Sequence, residues 1–206
     1  MRICEIFSSI QGEGILMGLP TVFIRTVGCN LRCHWCDTSY AWEGGKDMEL
    51  DDIVELIEEY PQKNICITGG EPLLQKDLIE LLDLLRDRNI SIETNGSLDI
   101  SQFVERDLMV SMDYKTPSSG MDDRMLDENL VKLRDSDQLK FVIADDDDIE
   151  FAYEVMMNSD IIADVIFQPA WGTDMERLVA WVLDKNVDVR IMPQLHKIIW
   201  GDKRGF

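Results

Sequence analysis

Three observations predict an α/β protein with a mainly parallel sheet. Short apolar, β-branched runs alternate with amphipathic segments along nearly all of the 206 residues. Most of the runs are continuously apolar, as expected of strands covered on both faces. The polar, glycine- or proline-marked stretches fall directly after the runs, where parallel sheets and barrels bind their ligands. Neither a Gly/Ser linker nor a repeat interrupts the pattern, so one domain over residues 1–206 is expected.

The elements follow in order. TVFIRTVG (21–28) reads as a strand that ends at a cysteine-rich loop. ELDDIVELIEEYP (49–61) places Leu50, Ile53, Val54 and Ile57 on one helical face, and Pro61 ends it. NICITGGEP (64–72) is a buried strand running into a glycine turn, and LLQKDLIELLDLLRDRN (73–89) a long amphipathic helix. ISIETNG (90–96) and DLMVSMDYKTP (107–117) are strands leading into polar turns. QLKFVIA, IEFAYEVMMNS and DVIFQPAWG (138–144, 149–159, 164–172) read as strand, helix, strand. TDMERLVAWVLDKN (173–186) opens with a capping box of Thr173 and Glu176. VDVRIMP (187–193) is a last strand before the tail QLHKIIWGDKRGF (194–206).

Composition narrows the function. Hydrophobic residues make up 45% of the chain, which suits a globular protein. Lys and Arg total 20 against 40 Asp and Glu, a net charge of −20 that repels nucleic acid. The aspartate run in ADDDDIE (144–150) reads as a solvated helix start, its carboxylates favoured by the N-terminal dipole. No apolar run approaches the ~20 residues of a membrane span, and MRICEIFSSIQGEG carries no signal-peptide core. A cytoplasmic protein with no membrane or nucleic-acid partner is expected.

The chemistry concentrates in GCNLRCHWCDTSY (28–40), where Cys29, Cys33 and Cys36 are spaced C-x3-C-x2-C. Thiolates favour zinc, copper(I) or iron–sulfur clusters. Structural zinc takes four closed ligands, often as two distant pairs, and His34 is poorly placed as a fourth beside Cys33. A [4Fe–4S] cube, with one thiolate per iron and one iron left open, suits three cysteines better. A zinc-stabilised binding module stays as the alternative outside enzymes. Cys4 and Cys66 lie in apolar stretches and read as small buried hydrophobes.

Two motifs together carry a resemblance. The cysteine triplet with Trp35 before its last member, followed by GGEP (69–72), resembles the radical S-adenosylmethionine (SAM) superfamily. That resemblance implies a partial, compact (β/α) barrel with the cluster loop at the C-terminal ends of the strands. It also implies SAM as cofactor, its methionyl amino and carboxylate groups chelating the open iron. The set F-x-S-x-Q-G-E-G (7–14), F-x-R (23–25), TGGEP, ETNG, KTPSSG and the terminal QLHK is similar to the 7-carboxy-7-deazaguanine synthase family. Its members contract the ring of 6-carboxy-5,6,7,8-tetrahydropterin with loss of ammonia, for the 7-deazapurine pathway to queuosine or archaeosine. A glycyl-radical activase, also short and also carrying C-x3-C-x2-C, is the rival enzyme, and has no need of QGEG or a closing tail.

The resemblance implies a role for each matched residue. Cys29, Cys33 and Cys36 would hold the cluster. Trp35, Asp37, Glu71, Gly96, Lys115 and Gln168 would contact SAM, with Asp113 and Tyr114 in the same loop as Lys115. Thr38 would hold Mg2+. Ile10, Gln11, Gly12, Glu13, Arg25, Thr94, His196 and Phe206 would contact the pterin, with residues 1–20 a substrate-binding segment and 194–206 a closing tail. A homodimer supplied with electrons by flavodoxin or ferredoxin is implied as well. The residue chemistry agrees: a Gln11/Glu13 pair can read an amide-like edge, and Arg25, a charge on an apolar strand, must be paired or face a cavity.

Overall fold

The computed structural model describes residues 1–203 and Gly205; Phe206, expected over the pterin, lies outside the described residues. Nine strands form one sheet: β1 (Arg2–Ile10), β2 (Pro20–Thr26), β3 (Lys46–Asp47), β4 (Asn64–Gly69), β5 (Asn89–Thr94), β6 (Met109–Asp113), β7 (Gln138–Ile143), β8 (Asp164–Pro169) and β9 (Arg190–Ile191). Their spatial order is β3-β1-β2-β4-β5-β6-β7-β8-β9. From β2 to β9 every pairing is parallel, whereas β1 runs antiparallel to β2 and to β3. The sheet is an open arc, an α/β partial barrel as expected.

The helices are α1 (Leu50–Glu58), α2 (Leu78–Leu84), α3 (Ser101–Val104), α4 (Asp146–Met157), α5 (Met175–Lys185) and α6 (Leu195–Trp200). Among the described residues none is long and apolar enough to cross a membrane. Strand periodicity divides the residues between two environments. Ile24, Ile67, Ile92, Val110, Met112, Leu139, Phe141 and Phe167 are buried apolar residues of the core. Their neighbours Phe23, Arg25, Thr68, Glu93, Ser111, Asp113, Lys140, Val142 and Gln168 line a cavity on the other face. Phe141 anchors the core, meeting Phe167 edge-on at 5.9 Å and Tyr114 at 5.6 Å.

Four sequence expectations need correction. β1 is a full strand rather than only a substrate-binding segment; its mixed, half-buried pattern hides it. The expected long helix over 73–89 is a 3-10 turn (Pro72–Leu74) and then the seven-residue α2. Gln75 breaks it: its amide donates to the Val27 carbonyl and accepts from Arg2 N, which holds its backbone extended. Helix α5 is capped by Asp174, which accepts from Glu176 N and Arg177 N, while Thr173 Oγ1 donates to the Ala170 carbonyl. The aspartate run is solvated only in part. Asp145, the cap of α4, and Asp146 and Asp147 are exposed, but Asp148 is fully buried. It accepts from Ser118 N (2.9 Å), Ser118 Oγ (2.5 Å) and Ala144 N (2.8 Å), tying α4 to the loop after β6.

Candidate active site

The loops after β2, β4, β5, β6 and β8 and the segment after β1 enclose a cavity of about 620 Å³. Its lining includes Ile10, Gln11, Gly12, Glu13, Arg25, Cys29, Cys33, Trp35, Cys36, Asp37, Thr38, Thr94, Lys115, Gln168 and His196. Residues up to 186 apart in sequence, Ile10 and His196, thus converge.

At one end lies the cysteine loop. The three thiols are half-buried and free. Leu31 N and Asn95 Nδ2 approach Cys29 Sγ at 3.4 and 3.8 Å. Burial pushes the Cys33 thiol up to about 11 and raises Cys36, with Lys115 opposing both. A metal that takes these thiolates must therefore displace protons. Among the described residues no three Cys, His, Asp or Glu side chains converge as ligands of one ion. A cube asks instead for one soft thiolate per iron, and three thiols facing one cavity fit that donor set. His34 is exposed and packs against Gly120, where a Cβ would overlap its ring; it does not line the cavity.

The neighbours of the thiols offer both charge and a free acceptor. Lys115 ion-pairs with Asp113 at 2.9 Å and lies 5.2 Å from the centre of the Trp35 ring. Burial alone would lower its pKa, but Asp113 and Cys33 hold it above the ordinary value. Trp35 Nε1 donates to Ser118 Oγ at 3.1 Å, which Asp148 orients in turn. Gln168 is 1% exposed, and among the described residues neither its Oε1 nor the Asp113 Oδ1 has a hydrogen-bond partner. Both belong to cavity-lining residues, so a bound cofactor with N–H or O–H groups would satisfy acceptors that are otherwise costly to bury. Thr38 Oγ1 donates to Asp37 Oδ1 at 2.8 Å, setting two hard oxygen groups side by side.

The strand side of the lining carries a web of buried and half-buried charge, joined to the cysteine side through Asp113. Gln11 Nε2 donates to Glu93 Oε1 (3.2 Å), and its Oε1 accepts from Glu13 N (3.3 Å). Glu13 ion-pairs with Lys140 and accepts from Gln194 Nε2 at 2.9 Å. Burial would raise its pKa, yet Lys140, His196 and the two hydrogen bonds hold it at about 2. Glu93 also accepts from Thr68 Oγ1 at 3.0 Å. Arg25 Nε donates to Glu5 Oε1 at 2.8 Å, and Tyr40 donates to the same oxygen at 3.0 Å. The rest of the guanidinium is left for a ligand: among the described residues its Nη atoms make no hydrogen bond. A Cβ at Gly12 would overlap the His196 side chain, and one at Gly14, whose φ is +71°, the end of Gln138. Leu195 N donates to the Gly12 carbonyl at 2.9 Å, so the tail is seated on the QGEG loop.

Two expected contacts lie outside the cavity lining. Glu71 is fully buried in the wall behind it, accepting from Leu73 N, Thr94 Oγ1 and Asn95 N. Its carboxylate therefore organises the GGEP and ETNG turns. Gly96, with φ of +74°, is likewise behind the wall, packed against Met112. Sequence reasoning missed Glu5, Tyr40, Glu93, Lys140 and Gln194. Glu93 and Lys140 carried the signal that singled out Arg25, a charge within an apolar strand; Glu5, Tyr40 and Gln194 carried none.

Comparison with known proteins agrees with this geometry. Residues 23–128 match the radical SAM superfamily. The chain is 43% identical to the 7-carboxy-7-deazaguanine synthase of Thermoplasma acidophilum, covering 100% of both chains. It is 42% identical to that of Methanospirillum hungatei over 97% of this chain and 85% of the relative. With the synthase of Bacillus subtilis the identity is 35% over 98% of this chain and 97% of that one. The crystal structure of QueE from Escherichia coli superimposes with a TM-score of 0.78 at 27% identity, covering 95% of this chain and 94% of that one. A radical SAM motif seated at the mouth of a parallel arc, with full-length likeness to these relatives, places the chain in the 7-carboxy-7-deazaguanine synthase family.

Proposed function

We propose that this chain converts 6-carboxy-5,6,7,8-tetrahydropterin to 7-carboxy-7-deazaguanine with loss of ammonia, as a single-domain lyase of 7-deazapurine biosynthesis. One observation carries the reading: the cavity that the cysteine loop opens onto has, at its far end, a guanidinium and a hydrogen-bonding Gln–Glu pair. That combination complements a bicyclic amide edge with a carboxylate on it.

Cys29, Cys33 and Cys36 would hold the [4Fe–4S] cluster, with SAM on the open iron beside Trp35, Asp37, Lys115 and Gln168. When bound, cluster and cofactor supply hydrogen-atom abstraction, the hard chemistry of the reaction. The chain binds, orients and excludes water. Gln11 and the ionised Glu13 read the pterin's donors and acceptors, with Ile10 and Gly12 shaping their loop. Arg25 clamps the carboxylate, steadied by Glu5 and Tyr40. Thr38, with Asp37, would hold Mg2+, which would supply positive charge for the substrate carboxylate. Thr94 lines the wall, and His196 closes the cavity over Gly12. The family likeness extends the proposal to a cytoplasmic homodimer reduced by a flavodoxin- or ferredoxin-type carrier.

The test is anaerobic turnover of the reduced, cluster-loaded protein with SAM and carboxytetrahydropterin, with and without Mg2+. A deazapurine chromophore is expected, formed faster with Mg2+. No chromophore, or stoichiometric zinc without iron and sulfide in anaerobically purified protein, refutes it.

A further inference from the structure

Every residue of β7 is buried, yet it carries a lysine at position 140. With its side chain 7% exposed, Lys140 pairs with Glu13 and stands 3.8 Å from Asp113 Oδ2. An unpaired ammonium there would be prohibitive. The parallel register sets Asp113 beside Lys140 on the neighbouring strand. Glu13 is not a neighbour in that sense: it follows β1, which β2, β4, β5 and β6 separate from β7. The pair therefore spans the mouth of the arc. A second tie runs alongside it, from Ile15 N to Gln138 Oε1 at 2.8 Å, with Gln138 Nε2 held by Ser111 Oγ at 2.6 Å.

We propose that Lys140 is a positioning residue: it pins the Gln11–Gly14 loop across the arc and keeps Glu13 as a fixed, ionised acceptor for the N–H edge of the substrate. The substrate part of this role rests on the reaction proposed above. Lys140 from β7 and His196 and Gln194 from the tail act on Glu13, while Asp113 from β6 and Glu93 from β5 act on Lys140. Without Lys140, burial acts on Glu13 with only His196 and Gln194 in opposition. A carboxyl held near 2 in the wild type then moves above its ordinary 4.5. The sign follows: the wild-type loop keeps its anion down to acid pH, whereas the variant loses it as pH falls through the raised value.

The direct experiment is a titration of 13C-labelled glutamate carboxyls by NMR, with Glu13 assigned through Glu13→Gln. Lys140→Met should titrate above 4.5, and Lys140→Arg should restore the wild-type behaviour. Lys140→Gln provides the same readout if the Met variant fails to fold. The paired experiment is anaerobic binding of 7-carboxy-7-deazaguanine, which needs no turnover. Lys140→Met should bind about tenfold or more weakly, and its deficit against wild type should widen as pH falls from about 8 to about 5. Gln138→Ala, which loosens the loop without removing charge, should show a deficit constant with pH. An unchanged Glu13 titration in a folded, uncharged Lys140 variant overturns the proposal. A shifted titration with a pH-independent deficit overturns the role toward substrate. No deazapurine binding by the wild type refutes the pterin reading, while the titration still decides the Lys140–Glu13 tie on its own.

Discussion

The two ends of the cavity are built in opposite ways. The cysteine end is an irregular loop with Asn30, Arg32, His34 and Asp37 exposed, and a few loop contacts tie it down, such as His34 N to the Ser119 carbonyl and Trp35 to Ser118. The charged end stands largely on strands: Arg25, Thr68, Glu93, Ser111 and Lys140 take their places from backbone register, and hydrogen bonds or ion pairs hold Arg25 to Glu5, Glu93 to Thr68 and Gln11, Ser111 to Gln138, and Lys140 to Glu13. The difference teaches where preorganisation is needed. Metal binding can itself order a loop, because ligand bonds are worth many kcal/mol. Recognition by hydrogen bonds of about 1 kcal/mol each has no such reserve, so its groups must be placed before the ligand arrives.

The comparison can be broken most sharply at the thiols. Cys33→Ala should abolish the brown chromophore and bound iron, while Cys66→Ala, fully buried on β4, should retain both. Equal losses in iron and sulfide analysis would end the division between loop and strand cysteines. The next test concerns what anchors the loop. Asp148→Asn removes a buried acceptor of three hydrogen bonds, through which Ser118 holds Trp35, and should cost about 1–3 kcal/mol in denaturant unfolding. The exposed neighbour change Asp147→Asn should stay within about 0.5 kcal/mol. Similar midpoints for the two would mean that the loop has no rigid support there. The smallest effect is at the start of α5: Asp174→Ala should lose about 1 kcal/mol of stability and Thr173→Ala less. The reverse order would restore the capping box.

Legibility followed the same division. The cysteine loop is a local chemical pattern, and eight consecutive residues carry its meaning from Cys29 to Cys36. Arg25 was readable because a charge in FIRTV has no local reason to be there. Lys140 in QLKFVI and Glu93 in ISIET offered the same clue. Their partners were hidden, since Lys140 and Glu13 are 127 positions apart. Glu71 shows the converse: the motif marked the residue, but only the structure shows its carboxylate spent on Leu73, Thr94 and Asn95. The helix at 73–89 failed because Gln75 bonds to Arg2 of β1 and to Val27 just after β2, tertiary contacts that outweigh a modest local propensity.

By itself the sequence determined the alternation of strands and helices, the side of the sheet that carries chemistry, and the identity of the soft ligands. Periodicity and ligand type are properties of neighbouring residues, so they survive without a fold. Only the tertiary structure decided which face of each strand turns toward the cavity, that β1 adds to the sheet antiparallel, and that Lys140 meets Glu13 across the arc. A one-residue change of register exchanges the two faces of a strand. Whether a buried charge is paired or costly is therefore settled by distant backbone, not by the charge itself.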